Sequence, residues 1–152
     1  DCDGIVDDDP KLLVTQTANN GIGSLRYQLT CLQYGDTLFF NPVLDTIQLT
    51  EPLILDKQMW WWGNGVANTR IKMDMSLPIF STAQQGILIT NTGNVTFREL
   101  SLIQKNNSLV VPFLKNVGIV ELRSTRITGN VPTRMLNQGS GQLKTEGNSE
   151  VR

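Results

Sequence analysis

The chain has 152 residues, 39 % of them apolar, with 13 Gly and 6 Pro, enough for one domain with its own core. No run of 18 apolar residues occurs, which argues against a membrane-spanning helix, and a net charge of −1 without dense Lys/Arg clusters argues against nucleic acid. There is no histidine, so neither a His general base nor a Ser/His/Asp triad can be built; the two cysteines, outside any CxxC spacing, are too few for zinc.

Residues 1–10 read Asp1-Cys2-Asp3-Gly4-Ile5-Val6-Asp7-Asp8-Asp9-Pro10 and hold five of the 14 acidic residues. Alternating Asp side chains around a Gly turn suit Ca²⁺, which takes six to eight oxygens, and Asp1, Asp3, Asp7 and Asp9 are the candidate ligands; the alternative is a solvated acidic linker. The stub resembles the end of a thrombospondin type 3 repeat, a calcium-binding linker of secreted proteins, whose first Asp residues would lie upstream. No initiator Met and no signal-peptide pattern open the chain, so it reads as a piece of something longer. Cys2 and Cys31 are a disulfide candidate if the chain is secreted; otherwise one is a buried thiol and the other a free one.

A first strand is expected over residues 11–17, with Leu12 and Val14 on one face. Asn19 to Gly23 is a turn cluster, Ser24 is a good N-cap, and Leu25, Leu29 and Leu32 fall at helical spacing over residues 25–33. A strand at Thr37-Leu38-Phe39-Phe40 follows. Laid across the open end of a coil, the helix would bury its leucines, and Arg26 would meet Asp36 or a carbonyl.

Gly23-Ser24-Leu25-Arg26 and then Gly35-Asp36-Thr37-Leu38-Phe39-Phe40 resemble the N-terminal cap of a group of bacterial cell-surface right-handed parallel β-helix proteins, of the polymorphic outer-membrane and choice-of-anchor type. Thr46-Ile47-Gln48-Leu49 and Leu53 to Lys57 continue the likeness, which spans about residues 11–152. The resemblance implies export to the cell surface and the fold, and no single activity.

Met59-Trp60-Trp61-Trp62-Gly63 is the most unusual stretch. Strand neighbours point to opposite sides, so with Leu53, Leu55 and Trp61 inward, Trp60 and Trp62 point outward. Two outward indoles ask for a sugar or a subunit, unless residues 64–68 or the N-terminal arm cover them. A strand follows at residues 69–73, a turn at 74–76, and Ile79-Phe80 is expected to open the next coil. The stretch at 91–103 then recurs at 116–128: Asn91, Gly93, Val95, Phe97, Arg98 and Leu102 meet Asn116, Gly118, Val120, Leu122, Arg123 and Ile127. A weaker copy starts at Asn137-Gln138-Gly139. Repeats of this length, each too short to bury its own apolar face, mark a solenoid, and the alternation within each copy is that of a strand.

The expected fold is therefore all-β, a short right-handed parallel β-helix with one N-terminal capping helix: a stub at 1–10, a cap at 11–40 and coils at 41–152. Asn91, Asn116 and Asn137 are candidates for a stacked amide ladder. Among the carboxylates, Glu121 and Glu146 fall near equivalent positions of neighbouring coils; they make either a sugar-cleaving pair or, with Arg98, Arg123 and Lys144, a neutral outer ladder, which is the favoured reading. The functional expectation is a secreted or cell-surface, non-enzymatic module for adhesion or assembly; the alternative is a carbohydrate-binding or polysaccharide-degrading domain using Trp60 and Trp62. The C-terminal coil is expected to leave unpaired strand edges, to be covered by a following domain or another copy. Head-to-tail stacking would grow a filament, with residues 1–17 as the donor segment.

Overall fold

A computed structural model describes residues 12–105, 111–129 and 135–152, and the chain winds as a parallel β-solenoid of about five turns. It opens with β1 (Leu12–Val14) and α1 (Leu25–Cys31). The first coil is β2 (Asp36–Phe40), β3 (Thr46–Leu49) and β4 (Leu53–Leu55). The second is β5 (Gln58–Trp62), β6 (Arg70–Asp74), a helix α2 (Pro78–Ala83) and β7 (Ile87–Ile89). The third is β8 (Asn94–Arg98), β9 (Ser101–Lys105) and β10 (Leu114–Asn116), and the fourth β11 (Ile119–Arg123), β12 (Arg126–Thr128) and β13 (Met135–Asn137). β14 (Gln142–Glu146) and β15 (Glu150–Val151) begin a fifth. Like strands of successive coils pair in parallel, giving a six-stranded sheet β1-β2-β5-β8-β11-β14, a five-stranded sheet β15-β12-β9-β6-β3 and a four-stranded sheet β13-β10-β7-β4.

Alternation explains the core. The inward residue of each strand lies beside the inward residue one coil away, so apolar side chains stack in columns. Leu38, Trp61, Phe97 and Leu122 form one such column in register, all fully buried. Ile47, Ile71, Leu102 and Ile127 form another. Each buried side chain of this size contributes about 1.5–3 kcal/mol, and its neighbours come from other coils, so no coil carries its core alone. Trp61 meets Phe97 edge-on, with ring centres 5.1 Å apart.

The cap is built as expected. Ser24 Oγ accepts a hydrogen bond from the Tyr27 amide at 3.2 Å, Leu25 and Leu32 are buried, and Leu29 packs against the core. Arg26 takes the carbonyl alternative rather than Asp36: its two terminal nitrogens donate to the carbonyls of Pro52 (2.9 Å) and Glu51 (2.8 Å). Burial pushes the Arg26 pKa below its ordinary value, against the raising effect of the Glu51 carboxylate. From the next coil, Lys57 Nζ donates to the Leu32 carbonyl at 2.7 Å, satisfying an acceptor at the helix C-terminus. Cys31 is half-buried and disulfide-bonded. Cys2, with Asp1, Asp3, Asp7 and Asp9, lies outside the described residues.

Three expectations are corrected. Ile79 and Phe80 do not open a strand; they lie in α2, where Pro78 presets the first turn, Phe80 is fully buried and Gln84 closes the helix in the left-handed region at φ 62°. Asn91 does not join the amide ladder. Asn116 Nδ2 donates to Asn137 Oδ1 at 3.0 Å, but the residue in register with Asn116 on the other side is Ile89, because the turn from β7 to β8 is two residues longer than that from β10 to β11 and carries Asn91 outward. Gly93 and Gly118 do stay aligned, since a Cβ on Gly118 would meet the Gly93 and Thr90 carbonyl oxygens at 2.2 Å. Nor is the step from coil to coil constant. It is 25 residues where Val95 faces Val120 and Leu102 faces Ile127, but 23 where Asp36 faces Met59, 36 where Gln58 faces Asn94 and 21 where Leu114 faces Met135.

The two ends differ. At the N-terminal end β1 pairs with β2 (Leu12 with Leu38), so the expected donor strand is engaged within its own chain. In the last coil Leu143 is 39 % and Val151 42 % exposed, although their columns are fully buried one coil earlier at Val120 and Ile127.

Candidate binding site

The outward face of the six-stranded sheet is organised in rungs, because parallel in-register strands set like side chains about 4.8 Å apart. One rung runs Phe39, Trp62, Arg98, Arg123, Glu146. The next, two residues back along every strand, runs Thr37, Trp60, Thr96, Glu121, Lys144. The structure points Trp60 and Trp62 outward, 37 % and 39 % exposed, and seals Trp61 in the core.

The two indoles keep different company. Trp62 is held on both sides along its rung: Phe39 stacks against it with centres 6.0 Å apart and 27° between planes, and the Arg98 guanidinium carbon sits 4.0 Å from the ring centre. Its Nε1 donates to Glu99 Oε2 at 3.3 Å, and Glu99 Oε1 is 3.5 Å from Arg98 Nε. A protein ring and a cation–π partner thus occupy Trp62. Trp60 stands between two threonines. Among the described residues its ring stacks on no other ring or cation and its indole N–H makes no hydrogen bond. The short flanking side chains leave a hollow of about 350 Å³ beside it, between Thr37, Trp60, Trp62, Thr96, Arg98 and Arg123. That volume lies at the lower end of the range for small-molecule sites, and an aromatic wall with few polar groups is their usual lining.

The charges around the hollow are matched. Arg123 Nη2 lies 2.8 Å from Glu121 Oε1, and Arg123 Nε lies 3.5 Å from Glu146 Oε2. The register explains this: Glu121 faces Lys144 and Arg123 faces Glu146, a step of 23 that sets the two carboxylates one rung apart with an arginine bound to both. They form a neutralised ladder, the favoured alternative, rather than two acids facing one sugar. Thr96 Oγ1 reaches Glu121 Oε2 at 3.4 Å. A larger hollow, about 600 Å³, lies at the corner towards the five-stranded sheet, among Gly65, Val66, Glu99, Ser124, Arg126 and Glu150. No aromatic side chain lines it, and Arg126 is paired there with Glu150 at 3.2 Å.

Searches of protein-family models, of curated proteins and of solved structures found no match to this chain. Sequence reasoning singled out Trp60 and Trp62 but not Thr37, Thr96, Arg98 or Glu121 as their surroundings. Those neighbours come from strands 23 to 61 residues away, and unequal coil steps hide which residue lands beside which.

Proposed function

We propose that the chain is a non-enzymatic adhesion module of a secreted or cell-surface protein, and that it adheres through the outward face of the six-stranded sheet. The observation that carries this reading is the hollow beside Trp60, an exposed indole with no protein partner of its own. Support for binding rather than bond breaking comes from Arg123, which engages both carboxylates of the one candidate acid pair. The test is retention of beads coated with the chain on particulate bacterial cell wall, plant cell wall and mucin. Retention on at least one of these, lost in Trp60→Ala, is expected; no retention anywhere, or equal retention by Trp60→Ala, overturns the reading.

Self-assembly is a second reading, favoured by the last coil, where Leu143 and Val151 are exposed on columns that are otherwise buried. A further coil would cover them, whether from the same polypeptide or from another copy. With β1 engaged, a copy-to-copy contact would set β14 against the free edge of β1 rather than exchange β1. Sedimentation across a wide concentration range decides it: a species that grows with concentration and shrinks in Leu143→Lys supports assembly, and a monomer throughout excludes it.

A further inference from the structure

We propose, building on the reading that the six-stranded face is adhesive, that its ligand is an uncharged glycan, bound with one pyranose ring against Trp60 in the slot above Thr96. The slot has the right thickness. Across Thr96, Trp60 and Glu121 are two strand spacings apart, about 9.6 Å, and a ring in van der Waals contact needs about 3.5–4 Å from each wall. A sugar ring entering it would take the place in the rung that Thr96 is too short to fill, as Arg98 fills the corresponding place beside Trp62.

The polar groups then select among ring-shaped ligands. The Glu121 side chain is 17 % exposed and its carboxylate meets Thr96 Oγ1 and Arg123. A flat apolar ring would cover these groups without bonding them, which is costly. A sugar carboxylate or sulfate would face Glu121 and would have to draw Arg123 from Glu121 and Glu146, or Arg98 from Glu99. Hydroxyl groups do neither: they donate to Glu121, accept from Arg123 and leave every ion pair in place, while the C–H face of the ring lies on the indole.

The experiment is titration of the 152-residue chain, followed by tryptophan emission and calorimetry, with neutral tetrasaccharides (cello-, manno- and galacto-series) and acidic ones (galacturonate and heparin series). At least one neutral probe is expected to bind, with affinity changing less than about twofold between about 0.01 and 1 M NaCl, where the Debye length falls from about 30 to about 3 Å. Trp60→Ala, and Thr96→Leu, which fills the slot, should each weaken it about tenfold or more. Thr96→Ser, which keeps the slot open, and Ile54→Ala, at an exposed position of the four-stranded sheet, should not. Glu121→Gln frees Arg123 and should turn preference towards the acidic probes. Melting curves for each variant separate lost binding from lost folding. Preference of the unmodified chain for acidic probes, steep salt dependence, or neutral binding that survives Thr96→Leu overturns the proposal. If acidic probes bind and Thr96→Leu abolishes this, or if surface retention through Trp60 persists while no tetrasaccharide binds, the neutral-glycan assignment falls and the adhesive face stands. Absence of both retention and binding removes both.

Discussion

Trp60 and Trp62 sit two residues apart on one strand, point the same way and are almost equally exposed, yet they do different things. Trp62 belongs to a filled rung, clasped by Phe39 and Arg98 and tied to Glu99. Trp60 belongs to a rung with a gap, because both flanking residues are threonines. Exposure alone does not separate them. In a solenoid the company of an outward residue is set by the coils on either side, so a site is a missing neighbour as much as a present one.

The core tryptophan between them fixes the scale. Trp61→Ala should cost about 3–5 kcal/mol of stability, as a cavity opposite Phe97, read from the midpoint of a denaturant titration. A loss no larger than that of either outward neighbour would break the inward–outward assignment. Trp62→Ala should cost about 1–2 kcal/mol, since it removes a ring stack and a cation–π contact. A double-mutant cycle with Arg98→Ala should return a coupling of about 0.5–1 kcal/mol. Trp60→Ala should stay within about 0.5 kcal/mol of the parent in the same titration. If it matches Trp62→Ala instead, the two rungs are alike and the gap beside Trp60 is not one.

The smallest effect should come from a rung contact made by charge alone. Asp45 accepts hydrogen bonds from Arg70, one coil on and also exposed, and this bonding holds its carboxyl below the usual carboxylate range. A depressed folded-state pKa contributes stability that is present above the unfolded value, about 3.9, and fades as pH falls through the lower folded value. Asp45→Asn should therefore flatten the acid side of the stability profile slightly and leave neutral pH nearly unchanged. A deep loss at neutral pH would show that exposed rung contacts matter more than the comparison of Trp60 and Trp62 allows.

Much of the fold was legible because the coil repeats the physics of one strand. Ser24 and the three leucines announced the cap, and alternation placed Trp61 inside. The repeat at 91–103 and 116–128 was visible because those two coils differ in length at only one corner. What stayed hidden was lateral. The turn before β8 moved Asn91 out of line, a step of 23 rather than 25 set Glu146 beside Arg123 instead of Glu121, and a 36-residue step brought Arg98 over Trp62. α2 escaped because Ile79 and Phe80 read equally well as strand, and only the proline before them and the left-handed Gln84 after them turn the segment helical.

The uneven coil steps have a consequence for how such a chain can change over generations. Adding residues within a strand shifts every later side chain of that strand to the opposite face, whereas lengthening a corner costs only loop entropy, about 0.6 kcal/mol for each doubling. The excursion holding α2 is such a lengthening: Leu53 still faces Ile87 across it, 34 residues on. Insertions and deletions can therefore accumulate at the corners while the columns stay in register. New loops can be tried beside the Trp60 rung without re-solving the core.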